Sequence, residues 1–255
     1  MSSGEWPAGI EPSKAALADY LRDIEGWTYL DELWTLHEVV RNFPGRQPLT
    51  VVEIGSWKGR STIALALGVA CKGNGRVYAI DPHVGSREHR EVFGHVDTFD
   101  DFVSNIRRAG VSRIVEPLRM SSHDASVRFE RKSVDVLFVD GSHEYEDVLM
   151  DIGDWTPTLA DKAMVAFNDP LFPGVYRALR ESVLKASSPY RNTHYIANTL
   201  FFEFRRDVPW EFRDSALLLK LRVLLNLRFR AQGPASRAPK WAVQVGRRLY
   251  ETILP

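Results

Sequence analysis

The sequence predicts an α/β fold, a doubly wound and mostly parallel sheet of about seven strands with helices on both faces. The first observation behind this is a rhythm. Short β-branched or apolar runs at 50–54, 76–80, 113–117, 134–139 and 163–167 alternate with stretches of helical period at 60–70, 98–109, 124–130 and 144–158. Such alternation builds βαβ units, which place their strands side by side and in parallel. The second observation concerns the region past the fifth run. Beyond a further helical stretch near 174–186, residues 194–205 (HYIANTLFFEFR) are rich in Tyr, Ile, Thr and Phe and read as strand with a turn at Asn198. The third is composition: 255 residues with 44% hydrophobic and 26% charged side chains suit a packed domain, and exclude collagen-like or wholly disordered chains.

The pattern divides the chain into three regions. Residues 1–48 are a helical cap: apolar residues recur at helical spacing between Lys14 and Phe43, broken at Gly26, which gives two amphipathic helices ending before Pro44-Gly45. Residues 49–206 hold the alternating units. Residues 207–255 form a basic extension whose run ALLLKLRVLLNLRFR fits neither period cleanly.

Charge and cysteine content narrow the function classes. The 33 basic and 33 acidic residues balance, so no nucleic-acid partner is expected. From Arg205 onward 11 Lys/Arg stand against 4 Asp/Glu; the plain reading is a solvated tail, and contact with an anionic membrane surface is the weaker one. The single cysteine, Cys71, excludes an internal disulfide framework and a cysteine-based zinc site. No apolar run approaches the ~18 residues of a membrane span and the N-terminal stretch lacks a leader pattern, so a cytoplasmic protein is expected. A homodimer is compatible with all of this.

In an open parallel sheet, ligands bind beyond the carboxyl ends of the strands. The first strand leads into Glu53-Ile54-Gly55-Ser56-Trp57-Lys58-Gly59-Arg60-Ser61-Thr62, a glycine-bearing turn that opens a helix. A dinucleotide fingerprint needs glycine where Trp57 stands, and a phosphate-cradling loop needs four residues between its glycines and a lysine where Arg60 stands. Both fail. Asp81, at the end of the second strand, is placed to accept hydrogen bonds from both hydroxyls of a ribose. Asp140 and Asp169 end the fourth and fifth strands. Carboxylates at neighbouring strand ends can converge on one cation, and Asn168 can add a carbonyl oxygen. Such oxygen ligands suit magnesium, manganese or calcium better than zinc. His143 stands three residues after Asp140, close enough to face a metal-bound substrate.

These motifs carry a resemblance. Glu53-x-Gly55-x-x-x-Gly59 after a first strand resembles motif I of the Rossmann-like class I S-adenosylmethionine-dependent methyltransferases. The stretches VDGSHEYEDVLMDI from Val139 and FNDP from Phe167 resemble elements of metal-dependent sugar O-methyltransferases, those acting on macrolide sugars and on polymethylated polysaccharides or glycolipids. The resemblance spans residues 50–205 and implies S-adenosylmethionine and Mg2+ (or Mn2+) as cofactors. It implies cofactor contacts from Glu53, Gly55, Ser56, Gly59, Ser61, Thr62, Asp81 and Asp140, with Met120 and Ser121 lining the adenine. Asp140, Asp169 and Asn168 would hold the metal, and His143 would be the general base toward a hydroxyl of a free sugar, oligosaccharide or glycoconjugate such as a mannoside or rhamnoside. Ala160-Asp161-Lys162-Ala163 departs from the usual Pro-Gly-Gly turn and is expected to alter only a loop.

The chemistry suits the residues. A neutral alcohol is a poor nucleophile, metal coordination lowers its pKa, and an imidazole, which titrates near neutrality, can take the proton. Rival readings are a catechol-type O-methyltransferase, an oxidoreductase on a similar sheet (disfavoured by Trp57), and a non-catalytic nucleoside-binding or membrane-docking module. Trp27, Tyr29 and the segment 83–97, with His83, His89 and His95, are placed to form a lid; singly, the aromatics are expected in the core and the histidines in solvent.

Overall fold

The computed structural model describes residues 12–206, apart from 46, 88, 89, 91–93 and 186. The extension 207–255, His89 and the first eleven residues lie outside them.

Helices α1 (Lys14–Tyr20) and α2 (Leu30–Arg41) come first. Ser13 caps α1 by accepting the Ala16 N–H. Next come β1 (Leu49–Ile54), α3 (Arg60–Lys72), β2 (Gly75–Ile80), α4 (Phe99–Arg108), β3 (Val115–Leu118), the short α5 (Ser122–Ser126), β4 (Val134–Val139) and α6 (Tyr145–Trp155). Strand β5 (Leu159–Asn168), α7 (Pro173–Ser182), β6 (Tyr190–Ile196) and β7 (Thr199–Phe204) complete the fold.

The seven strands lie in the order β3-β2-β1-β4-β5-β7-β6, parallel from β3 to β5, with β7 antiparallel between β5 and β6. Strand order reverses at β1, so the carboxyl ends of β1 and β4 flank the crevice where such sheets bind ligands. Alternation along each central strand fills two cores. Val51, Val136 and Phe138 face α1–α4, together with Leu17, Leu33 and Leu36 from the N-terminal helices. Val52, Ile54, Leu137 and Val139 face α6 and α7, where Trp155 and Leu179 are fully buried.

Three boundaries depart from the sequence pattern. Strand β5 begins at Leu159, not 163, because Leu159 pairs with Val134 before the register shifts to Val136–Met164. Residues 160–163 therefore form a bulge inside a strand instead of a loop, and Lys162 takes a φ of 65° to make it. The helix expected over 124–130 is the short Ser122–Ser126; it starts earlier because Ser121 caps its N-terminus, and it ends at Ser126. The turn expected at Asn198 is there, at Ala197-Asn198 with Ala197 at φ 52°, but the strand before it begins earlier than 194, at Tyr190.

Candidate active site

The turn after β1 is left-handed at three places: Gly55 and Gly59 both have φ 88°, and Trp57 has φ 47°. Gly55 is required by space as well. A Cβ there would sit 2.1 Å from the Asp140 carbonyl oxygen, so the turns after β1 and β4 touch backbone to backbone. Asp81 braces this turn from the neighbouring strand. Its Oδ2 accepts the Trp57 N–H at 2.8 Å and its Oδ1 accepts the His83 N–H at 2.6 Å. A carboxylate offers about four lone-pair sites, so two remain for hydroxyls in the cleft.

Gly55, Ser56, Ser61, Asp81, Ser121 and Asp140 line the cleft, and Glu53, Gly59, Thr62 and Met120 do not. The Glu53 side chain is fully buried and accepts the hydroxyl proton of Thr62, tying β1 to the first turn of α3. Its other oxygen, Oε1, has no partner among the described residues. Burial pushes this carboxyl up to about 7, against hydrogen bonds from Ser61 and Thr62, with the Asp81 charge adding to the rise. A raised acid favours the folded state below its ordinary value of 4.5 and loses that contribution as pH rises through about 7. Glu53→Gln should therefore flatten the fall in melting temperature between those values, a difference worth up to about 3 kcal/mol. Parent and variant melting curves with the same pH dependence would contradict it.

The carboxyl ends of β4 and β5 carry the second constellation. Asn168 Nδ2 donates to Asp140 Oδ1 at 2.9 Å and lies 3.3 Å from Asp169 Oδ2, while Asn168 Oδ1 accepts from Thr199 Oγ1 at 2.8 Å. Here, then, Asn168 turns its nitrogen toward the acids, where sequence alone suggested the carbonyl oxygen. Asp169, at φ 51°, also accepts from the Asn198 side chain and lies 3.3 Å from His143 Nε2. The His143 ring stacks on Phe172, centroids 4.0 Å apart. Burial, above all, holds the Asp140 carboxyl well above the usual range; Asp169 and Glu53 push it further, while Asn168 and His143 oppose them. Burial and acidic neighbours both favour the protonated form of this carboxyl, as desolvation and like charge always do. Among the described residues no three His, Cys, Asp or Glu side chains cluster as a metal set.

At the far end, Ser121 is the N-cap of α5: its Oγ accepts the Asp124 N–H at 3.1 Å. The next residue, Ser122, accepts from Trp155 Nε1 at 2.8 Å. Asp151 lines the cleft beside it, nearly buried, its carboxyl pushed up to about 6 by desolvation against a hydrogen bond from Ser122. Nothing in the helical pattern of 144–158 singles Asp151 out.

These groups surround one cleft of about 630 Å³, within the size range of small-molecule sites. Residues 25–29 and Glu32 form its N-terminal wall. Arg60 holds that wall by donating to the carbonyls of Leu21 and Ile24 at 2.7 and 2.8 Å, and Lys58 pairs with Glu25 at 2.8 Å. Arg60, which breaks the phosphate-loop pattern, thus fastens the N-terminal segment to the turn together with Lys58. Trp27 and Tyr29, expected in the core, are 58% and 63% exposed at the mouth, where Trp27 packs on Trp57 at 5.2 Å. His83, expected in solvent, is fully buried: its Nδ1 meets Thr98 Oγ1 at 2.9 Å and its ring lies between Phe99 and Phe102. His95 is exposed as expected. Val84, Arg87 and Arg90 also line the cleft.

The sheet order and the strand-end cleft define the Rossmann-like fold of class I methyltransferases. Residues 52–170 match the model of a family described as a methyltransferase domain. An uncharacterized protein, y4gI, of Sinorhizobium fredii (strain NBRC 101917 / NGR234) is 30% identical over 138 residues, 54% of this chain; the chain spans only 14% of that relative's length. Among solved structures, the O-methyltransferase NovP superposes with a TM-score of 0.61 at 18% identity, over 69% of this chain and 81% of NovP. The O-methyltransferase TomG of Streptomyces achromogenes, involved in tomaymycin synthesis and solved with S-adenosylmethionine, gives 0.54 at 17% identity, over 78% of this chain and 93% of TomG. No helix among the described residues is long and apolar enough to cross a membrane.

Proposed function

We propose that the chain is an S-adenosylmethionine-dependent O-methyltransferase that uses a divalent cation, Mg2+ or Mn2+, to methylate a hydroxyl of a sugar, free or in a glycoconjugate. The observation that carries this reading is the joined pair of strand-end acids: Asp140 and Asp169 share the Asn168 amide within 3.3 Å, with His143 at 3.3 Å, beside a glycine turn braced by Asp81. The methyltransferase-domain match and the folds of NovP and TomG support the methyl-transfer part; the sugar and the metal rest on the motif around His143 and on the oxygen donors.

When bound, the cofactors would supply an electrophilic methyl group and Lewis-acid polarisation of the acceptor oxygen. The residues do the rest. Gly55 lets the turn after β1 pack against the Asp140 backbone, the buried Ser56 hydroxyl, unpartnered among the described residues, offers a contact to the ligand, and Asp81 takes the ribose hydroxyls. Acidic groups along the cleft, Asp81, Asp140, Asp151 and Asp169 among them, favour a ligand with cationic centres such as a sulfonium and an ammonium. Asp140 and Asp169 would hold the cation. Phe172 and Asp169 fix the His143 ring so that it can take the hydroxyl proton.

Asp81→Ala should weaken S-adenosylmethionine binding by about 1–3 kcal/mol while the fold persists. Calorimetric titration reads this directly, and unchanged affinity in a folded variant would remove Asp81 from the ribose site. The whole reaction is tested by methyl transfer to a panel of glycosides, with and without EDTA. Loss of turnover in the chelator and its return with Mg2+ are expected, and full activity in excess EDTA would reject the metal.

A further inference from the structure

The register of β5 against β7 sets Asn168 opposite Thr199, and both side chains are buried. Thr199 Oγ1 lies 2.8 Å from Asn168 Oδ1 and 3.2 Å from Glu32 Oε1. A hydroxyl has one proton, so it serves one of these acceptors and not both. With the amide nitrogen bridging Asp140 and Asp169, the proton goes to Asn168. A half-turn of that amide exchanges its nitrogen and oxygen with almost no change of shape. The oxygen would then meet two carboxylates, an arrangement that needs a cation among them. The nitrogen would donate to Thr199, and the threonine proton would turn to Glu32, an acceptor already in place.

Glu32 is well anchored for this. It reaches from α2 to a turn 166 residues away, where its Oε1 accepts the Asn198 N–H at 2.6 Å, while its Oε2 accepts the Tyr29 N–H at 2.7 Å. Its side chain is almost wholly buried. Burial of a carboxylate costs free energy unless its hydrogen bonds are satisfied, and these are.

We propose that Glu32 and Thr199 are positioning residues that let Asn168 present its amide oxygen to a divalent cation held by Asp140 and Asp169. The inference rests on the metal reading above. Neither residue touches the cation; they determine which end of the amide does.

The test is Mn2+ binding by the full chain, monitored through the electron paramagnetic resonance of the free ion, alongside S-adenosylhomocysteine binding without metal. Thr199→Val, which keeps the side-chain volume, and Glu32→Ala should each lower Mn2+ affinity by roughly 10–100-fold. In Thr199→Val, whose side chain does not line the cleft, S-adenosylhomocysteine affinity should stay at the parent value, which certifies the fold, and Thr199→Ser should restore Mn2+ binding. Parent-like Mn2+ affinity in Thr199→Val overturns the proposal. So does a parallel loss of both ligands, which would make the role structural. A parent chain that takes up no Mn2+ at millimolar concentration overturns the metal reading itself, and this inference with it.

Discussion

Asp140→Ala should abolish methyl transfer, with a loss of roughly 10³-fold or more, while S-adenosylmethionine affinity stays within a few fold. The same outcome is expected for Asp169→Ala. Removing either acid leaves one carboxylate where two are joined through Asn168, too few to hold a cation against water. The variants should fold, because removing Asp140 relieves a buried carboxylate that its neighbours already disfavour. Single-turnover rates with saturating methyl donor separate the two effects. A variant that keeps its rate would make these acids supports of the strand ends instead of ligands.

His143→Ala carries the second large effect, a fall in turnover of roughly 10²–10⁴-fold with methyl-donor and metal binding intact. The parent rate should rise with pH as the imidazole loses its proton, and the variant should lose that dependence. Position supports the prediction: the ring is held between the Phe172 face at 4.0 Å and Asp169 at 3.3 Å, and lines the cleft. Retention of more than about a third of the activity, with an unaltered pH profile, would show that metal coordination alone activates the acceptor, contrary to the base role assigned to the imidazole.

The central sheet was legible because parallel strands buried on both faces must be continuous apolar runs. VDVLFV at 134–139 coincides with β4, and all its residues are buried. What failed was register. Leu159 joins β5 only because residues 160–163 bulge, and a bulge has no hydrophobic period to reveal it. Pro117 was readable within β3 since that strand lies at the sheet edge, where a missing N–H is tolerated. At the site, strand-end residues were easy to nominate, as topology alone delivers Gly55, Asp81, Asp140 and Asp169 to one crevice. Their supports were not. Glu32 meets Asn198 and Thr199 across 166 and 167 residues, and Phe172 reaches His143 from the next loop; pairings at such separations leave no local pattern. Asn198 was visible as a turn residue, yet its bond to Asp169 was not. Trp27 and Tyr29 show the opposite error: aromatics expected in the core stand exposed, at the mouth of a cleft.

The central claim is that this strand-end cleft binds S-adenosylmethionine, and calorimetric titration with S-adenosylhomocysteine tests it most directly. The account predicts one site per chain, with affinity reduced in Asp81→Ala, whose carboxylate ties the β2 end to the Trp57 N–H. A parent chain that gives no binding heat at millimolar S-adenosylhomocysteine, yet binds a nicotinamide dinucleotide, would contradict it and return the sheet to the oxidoreductases.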